Sequence, residues 1–181
     1  MKPEQETEAA SLLSVAEAFL AERGWEDADR SELDSGQVSF STKIHSDAQN
    51  YTLFVEVFPK TQCIGVFIYS GFCVGSGALP ETALLLNHIN QRVSNGWLSV
   101  EGEGSPIQFK QLFDSEGIGA VPKVIKNMTD CGFDTFSRFG AALAAVAMTG
   151  FSAAEAIARL ERDNEPADLL HGAADCKSQI H

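Results

Sequence analysis

Three polar side chains with possible chemistry lie close together in one segment: Asn87, His88 and Asn90. The apolar residues around them recur at helical spacing, which predicts an amphipathic helix over 80–95. Asn87 and Asn90 then share its polar side. Because a carboxamide both donates and accepts hydrogen bonds, the pair could bind the backbone of a partner protein. Alternatively, the two amides bond loops of their own chain, such as 71–77, and hold the helix on a sheet. We prefer this interpretation, since buried amides usually bond nearby backbone.

His88 has no companion for a catalytic relay. A general base needs a nucleophile within reach and a third group that orients it. No serine, cysteine or acid stands at a spacing that indicates such a relay. We therefore predict that the chain has no catalytic residues and is not an enzyme.

The thiols and carboxylates form no pattern typical of a metal or cofactor site. Cys63 and Cys73 flank an apolar stretch and have no basic neighbour, which predicts buried, unreactive thiols. The four cysteines and four histidines lack the paired spacing of a zinc site. Four acidic residues near a predicted hairpin lack the alternating ligands of a calcium loop, so we expect them to form a solvated rim. They are Glu101, Glu103, Asp114 and Glu116. We predict no metal and no cofactor.

Phenylalanine is the most informative residue type of this chain. There are twelve phenylalanines and only two tyrosines, more aromatic surface than one thin sheet-and-helix layer obviously needs. A sheet face that the chain's own helices do not cover must be buried on something else. Phe54, Phe58, Phe109 and Phe113, evenly spaced on two predicted strands, are our candidates for that face. They predict a face that is covered by a second copy in a homodimer, by a partner protein or by a long final helix.

The periodicity along the chain predicts an α+β fold. Helical spacing alternates with the period of two that is typical of strands, and residues 26–35 read as an acidic loop. The expected elements are a helix over 4–23, strands over 38–44, 51–58 and 63–69, the helix 80–95, strands over 97–101 and 107–112, and helices over 121–149 and 153–162. Asn95-Gly96 is the expected stop of the 80–95 helix, and Ser152 with Glu155 is a capping box at the start of the last helix.

That order, α-βββ-α-ββ-α-α, predicts an antiparallel five-stranded sheet that is covered by helices mainly on one side. Gly132 and Gly140 lie inside the long third helix, where each costs about 1 kcal/mol relative to alanine. We expect a kink or a break near Cys131-Gly132. Residues 1–162 then form one domain, and the polar residues 163–181 form a flexible tail.

The composition excludes several classes of partner. A 44% apolar chain of 181 residues can bury a substantial core. Its formal charge of −12 argues against nucleic acid and anionic membranes, since both need a basic surface. No run approaches the roughly 18 to 20 apolar residues of a membrane span, and the acidic start does not read as a signal peptide. We expect a cytoplasmic protein with free thiols.

Several stretches of the chain resemble the YbjN family of bacterial proteins over roughly residues 8–160. The residues that carry the likeness are Leu86-Asn87, Asn90, the Gly96-Trp97 corner with Leu98–Val100, the return strand Ile107-Gln-Phe-Lys, and Gly150–Ile157. The family is described as putative sensory-transduction regulators and shares the fold of type III secretion chaperones. The resemblance implies a chaperone-like fold, no established reaction, and dimers that hold an extended segment of a partner. The acidic residues 26–35 and the polar tail depart from that pattern.

Two functions remain open at this point. The first is a non-enzymatic, chaperone-like regulatory module, a homodimer that binds an apolar or amphipathic segment of a partner protein. The second is a sensory regulator that binds a small ligand between the 80–95 helix and the sheet, entered past the loop 71–77.

Overall fold

A computed structural model of the chain describes residues 3–46 and 49–163. The helices are α1 (Pro3–Glu22), α2 (Leu79–Asn90), α3 (Pro122–Thr149) and α4 (Ala153–Asp163). The strands are β1 (Asp29–Glu32), β2 (Val38–His45), β3 (Asn50–Phe58), β4 (Cys63–Cys73), β5 (Trp97–Ser99) and β6 (Pro106–Asp114). The α+β class is confirmed.

All strands belong to one antiparallel, six-stranded sheet of order β1-β2-β3-β4-β6-β5. The first four strands form a meander. The chain then passes through α2 to the far edge of the sheet and forms β5 there. The next strand, β6, lies between β5 and β4. The short strands β1 and β5 are therefore the two edges.

The prediction of five strands was wrong, because residues 26–35 are not all loop. Asp29–Glu32 pairs with β2 as strand β1 although all four of its residues are exposed. An edge strand of polar residues shows no alternation of apolar and polar positions, so only its ladder hydrogen bonds identify it.

The helices pack on one side of the sheet. α1 contacts β3 and α3, whereas α3 lies along β4 and touches β6. The core between these layers contains Phe19 of α1, Leu53 of β3, Ile68 of β4 and Phe136 of α3, each at most 1% exposed. At roughly 1.5–3 kcal/mol per large apolar side chain, this layer is the main source of stability.

The predicted break in the third helix was also wrong, since α3 is helical from Pro122 to Thr149. Gly132 marks the place where α3 lies closest to the sheet. A Cβ on Gly132 would stand 2.6 Å from Ile68 Cδ1 and 2.7 Å from Phe109 Cδ1. The glycine is therefore needed for close packing between the helix and the sheet, and not for a change of direction.

The ends of the other helices follow local chemistry. α2 ends at Asn90, five residues before the predicted Asn95-Gly96 stop. The bond from Arg92 N–H to Ile89 O at 2.8 Å tightens its last turn. The capping box of α4 is confirmed, because Ser152 Oγ accepts from Glu155 N–H at 3.3 Å and Glu155 Oε2 accepts from Ser152 N–H at 3.3 Å.

The predicted tail, 163–181, lies outside the described residues apart from Asp163, the last residue of α4. Within the described part of the chain, no helix combines the length and the apolar character that crossing a membrane requires.

Candidate binding surface

The register of the strands separates the side chains of the sheet into two sets. Residues directly opposite each other in an antiparallel pair point to the same face. Leu53, Ile68 and Phe109 are aligned in this way and face the helices. We call their side the helix face. The alternate residues point to the opposite side, which we call the open face because no described helix packs on it. One row of the open face, strand by strand from β1 to β5, is Asp29, Ser41, Phe54, Phe67, Lys110 and Trp97.

The four predicted phenylalanines do not share one face. Phe54 and Phe58 lie on the open face, half-buried. Phe109 lies on the helix face and is 0% exposed, and Phe113 lies on the same side, packed against the core. Two of the four residues are therefore part of the structural core, and a contact face made of all four does not exist.

The open face nevertheless carries a continuous group of large apolar side chains. Phe54 meets Tyr69 edge-to-face, with ring centroids 5.5 Å apart. Phe67 stands beside Phe54 on the next strand. Trp97 and Leu112 complete the group and are 42% and 45% exposed. We call these five residues the apolar patch.

Gly65 allows two side chains at the centre of the apolar patch to pack directly over the strand. A Cβ at this position would lie 2.6 Å from Phe67 Cε2 and 3.0 Å from Leu112 Cδ2. Both side chains therefore lean over the glycine from β4 and β6. Phe67 and Trp97 are the residues in the sequence that indicate this surface. The prediction was based on evenly spaced phenylalanines and therefore did not include them.

A lysine is built into the apolar patch. Lys110 Nζ lies 5.5 Å from the ring centroids of both Phe67 and Trp97, within the range of a cation–π contact. The positive charge of Lys110 also acts on the carboxylate of Glu56, which lies on β3 on the same face of the sheet. Burial raises the pKa of Glu56 and the ammonium group of Lys110 opposes that rise. Gln37 Nε2 donates to Glu56 Oε2 at 2.9 Å, so this carboxylate is partnered.

Polar groups at the edge of the apolar patch are also bonded to each other. Gln108 Nε2 donates to the hydroxyl of Tyr69. Burial raises the pKa of Tyr69, and the nearby carboxylates of Glu56 and Glu101 act in the same direction. The phenol therefore stays protonated at neutral pH and presents a neutral surface to a partner.

The predicted polar pair on α2 has two different roles. Asn90 is part-buried, and its Nδ2 donates to Leu98 O at 2.9 Å while its Oδ1 accepts from Leu98 N–H at 2.7 Å. Asn87 is exposed. For Asn90 the preferred interpretation, a bond to the chain's own backbone, is therefore confirmed, although the partner is β5 and not the loop 71–77.

The other predicted groups form no reactive site. Cys73 is exposed, so the prediction of a buried thiol there was wrong, and Cys63 is half-buried with Sγ 3.2 Å from Thr61 O. Burial raises the pKa of the Cys131 thiol and Asp134 raises it further, so this sulfur is a poor nucleophile. The four residues of the predicted acidic rim are all exposed: Glu101, Glu103, Asp114 and Glu116.

Two cavities lie away from the open face. One, of about 410 Å³, is a groove between Arg92–Ser94 and α3 with Asp130 and Arg138 at its sides. The other, of about 330 Å³, lies between the loop Gly75–Ala78 and the end of α3. Neither of these two lies between α2 and the sheet. There the inner side of α2 is filled by its own buried side chains, Leu85, Leu86 and Ile89.

Among the described residues, no group of three or more histidine, cysteine, aspartate or glutamate side chains is placed to hold a metal ion. No family model, no curated protein and no solved structure matches this chain. The resemblance to the YbjN family therefore stays a prediction.

Proposed function

We propose that this chain is a non-enzymatic, chaperone-like regulatory module that binds other proteins as a homodimer, in which the open faces of two copies pack against each other. The observation that carries this proposal is the apolar patch on a sheet face without described helices. Of its five side chains, Trp97 and Leu112 are exposed, Phe54 and Tyr69 are half-buried and Phe67 is only 9% exposed. Apolar groups that a chain leaves exposed together usually mark a contact with another protein.

The charge distribution favours a second copy as the occupant of the open face. The formal charge of the chain is −12. On the strands of the open face, three carboxylates stand against two ammonium groups, and the carboxylate of Glu101 acts on Tyr69 from just beyond β5, so little of this excess is found there. They are Asp29, Glu56 and Asp114 against Lys43 and Lys110. Two copies therefore meet the least like-charge repulsion if they approach through this face.

The size of the open face is adequate for a stable dimer. The four long strands have 8, 9, 11 and 9 residues. At about 3.3 Å per residue and 4.8 Å between strands they span roughly 600 Å². Side-chain relief and the two short strands add to this, and a standard interface buries about 800 Å² per partner. Face-to-face packing of two sheets is also a common way to bury such a surface.

The decisive experiment is sedimentation velocity of the full chain at micromolar concentration. We expect a species of twice the 19.5 kDa chain mass, and monomers for Phe54→Asp and Trp97→Asp, which place a charge in the apolar patch. Leu84→Asp is the matched control because Leu84 is 59% exposed on α2, away from the open face. A monomeric wild-type chain contradicts the proposal, as do Phe54→Asp and Trp97→Asp chains that remain dimeric.

Fewer observations support the alternative function, a sensor that binds a small ligand. Its predicted pocket between the 80–95 helix and the sheet is occupied by Leu85 and Ile89, both 0% exposed. The 330 Å³ cavity beside Gly75–Ala78 is the better place to look for a ligand. We also propose a cytoplasmic location, because Cys63, Cys73 and Cys131 are free thiols.

A further inference from the structure

The edge of the sheet at β5 is sealed over only part of its length. β5 has three residues and covers β6 from Gln108 to Lys110. β6 continues to Asp114. Before Trp97 the chain turns away from this edge, since Asn95 O accepts from the thiol of Cys131 on α3. The last part of β6 is therefore an edge strand itself.

The direction of the backbone groups along β6 can be read from Asn90. Both backbone groups of Leu98 bond to Asn90 and hence point away from β6. In an antiparallel pair these directions alternate, so Trp97 and Ser99 are the residues that bond to β6, through Lys110 and Gln108. Even-numbered residues of β6 thus point toward the β5 edge.

The odd-numbered residues of this strand point the other way, toward β4. Ile107 N–H donates to Ser70 Oγ at 3.0 Å, and Ser115 N–H, just past the strand, donates to Gln62 O at 2.9 Å. Leu112 and Asp114 consequently direct an N–H and a C=O each toward the open edge. No backbone partner meets them there among the described residues.

We propose that Leu112 and Asp114 form a docking site for one extended segment of a partner protein, which adds as an antiparallel strand in line with β5. The proposal rests on the proposed function in that the chain is a protein-binding module, and it names the partner. The segment would make four backbone hydrogen bonds, two with each residue, and would satisfy groups that have no backbone partner among the described residues.

The side chains around the open edge determine which sequence fits. The residue opposite Leu112 lies on the open face beside Trp97, so it is apolar. The residue opposite Asp114 comes two positions earlier in the antiparallel segment, on the same face, and is basic because it meets the exposed carboxylate of Asp114. The intervening residue points to the helix face beside Phe113 and is small or β-branched. From its N-terminus to its C-terminus, the partner motif is thus basic–small–apolar in extended conformation, because an antiparallel segment meets Asp114 before Leu112.

The edge is a better site for a partner segment than for a second copy. Two β6 edges paired by a two-fold axis through Phe113 would set each Asp114 opposite Leu112 of the other copy and diagonally across from the other Asp114, with no basic residue opposite either carboxylate. Like charges at neighbouring positions of a strand pair are destabilising. A face-to-face dimer leaves the backbone groups of both edges free, although the Leu112 side chain belongs to the apolar patch, so each dimer would bind two segments.

The test is amide hydrogen exchange by NMR on the full chain with the acetylated, amidated peptide Ser-Thr-Lys-Thr-Val-Thr-Ser as probe. In the free chain we expect fast exchange at Leu112 and Asp114 and slow exchange at Gln111 and Phe113, which bond to β4. The peptide should slow exchange at Leu112 and Asp114 by about tenfold or more, since hydrogen-bonded strand amides are protected from opening. Slow exchange of the Leu112 amide in the free chain overturns the proposal. An exchange rate at Leu112 that is unchanged by about 1 mM peptide overturns it as well.

Variants separate the strand site from other forms of binding. Leu112→Pro removes an N–H that the β4 ladder does not use and should abolish binding, whereas Leu112→Val retains the N–H and should weaken binding less than about threefold. If Leu112→Pro does not fold, N-methylation of the probe at its valine gives the same answer, with N-methylation of the central threonine as control. Equal binding of the two methylated peptides also overturns the proposal.

The two proposals can fail separately. Phe54→Asp should yield a monomer that still binds the peptide, because the strand edge does not depend on the dimer. If the wild-type chain is a dimer that does not bind the peptide, only the strand site is wrong. If the wild-type chain is a monomer that binds the peptide, only the face-to-face dimer is wrong.

Discussion

The side-chain carboxamide of Asn90 makes the two hydrogen bonds to Leu98 that a neighbouring strand would otherwise make, at 2.9 and 2.7 Å. A helix residue therefore closes the outer side of β5. Edge strands are prone to pair with other chains unless something blocks them. Asn90 blocks the part of the edge that β5 forms, and on the same edge no backbone in residues 3–46 and 49–163 pairs with the end of β6.

Replacement of Asn90 by alanine should destabilise the fold by about 1–3 kcal/mol, because the part-buried N–H and C=O of Leu98 lose their partners. Asn87→Ala, three residues away on the exposed side, should change the free energy of unfolding by less than about 0.5 kcal/mol. Urea denaturation of the two variants compares them directly. Exchange of the Leu98 amide should also become faster in Asn90→Ala alone, and equal stability of both variants would contradict the assigned role.

Gly132→Ala should destabilise the chain by about 1–3 kcal/mol, although alanine is the better helix former by about 1 kcal/mol. The reason is the contact of the added Cβ with Ile68 and Phe109, at 2.6 and 2.7 Å. Neither neighbour can move, since both are fully buried.

Gly140→Ala is the matched control for this substitution in the same helix. Its Cβ would meet only the side chain of Gln49, at 3.0 Å. That side chain can rotate away, so we expect Gly140→Ala to be neutral or to stabilise by up to about 1 kcal/mol. Chemical denaturation of both variants is the measurement. If Gly132→Ala proved as stable as Gly140→Ala, α3 would not lie as close to the sheet as described.

Glu56→Gln should raise the melting temperature at pH 7 and leave it nearly unchanged at pH 4. Burial raises the pKa of Glu56 above its ordinary value of 4.5 in the fold. The protonated carboxyl is therefore favoured in the native state, and its contribution to stability, complete below pH 4.5, is lost as the pH rises through the folded pKa. Glutamine does not titrate and can still accept from Gln37.

The expected increase in the melting temperature of Glu56→Gln at pH 7 is only about 1–2 °C, since Glu56 is partly exposed and water screens its charge. Glu32→Gln is the control, because it removes the same formal charge from the exposed strand β1. Differential scanning calorimetry between pH 4 and 7 tests the prediction. A difference between Glu56→Gln and wild type that grows toward acid pH would show that the sign is wrong.

Local patterns in the sequence predicted most of the elements, because each of them depends on neighbours along the chain. The capping box of Ser152 and Glu155 is one example, and the alternation of Leu53 and Phe54 in β3 is another. These signals are local and strong. The strand Asp29–Glu32 has no such signal, since none of its side chains is buried, and it was missed.

Alternation within a strand says which residues share a side, but not which side the helices cover. That depends on the register between strands, and a shift by one residue would exchange the two faces. Phe54 and Phe109 were therefore predicted to lie together, whereas the paired positions Phe67–Lys110 and Ile68–Phe109 place them on opposite faces. The composition of the open face could be read only once the strands were aligned.

The sequence by itself determined the α+β class, the acidic character, the order of most elements and the local turns and caps. Only the tertiary structure decided which aromatic residues face outward, why α3 needs Gly132, and that Asn90 closes one part of a sheet edge while no described backbone pairs with Leu112 and Asp114 on that edge. Each of these depends on contacts between residues far apart in the chain. Their distances are set by how the strands and helices pack, and the spacing of residues along the sequence does not contain that information.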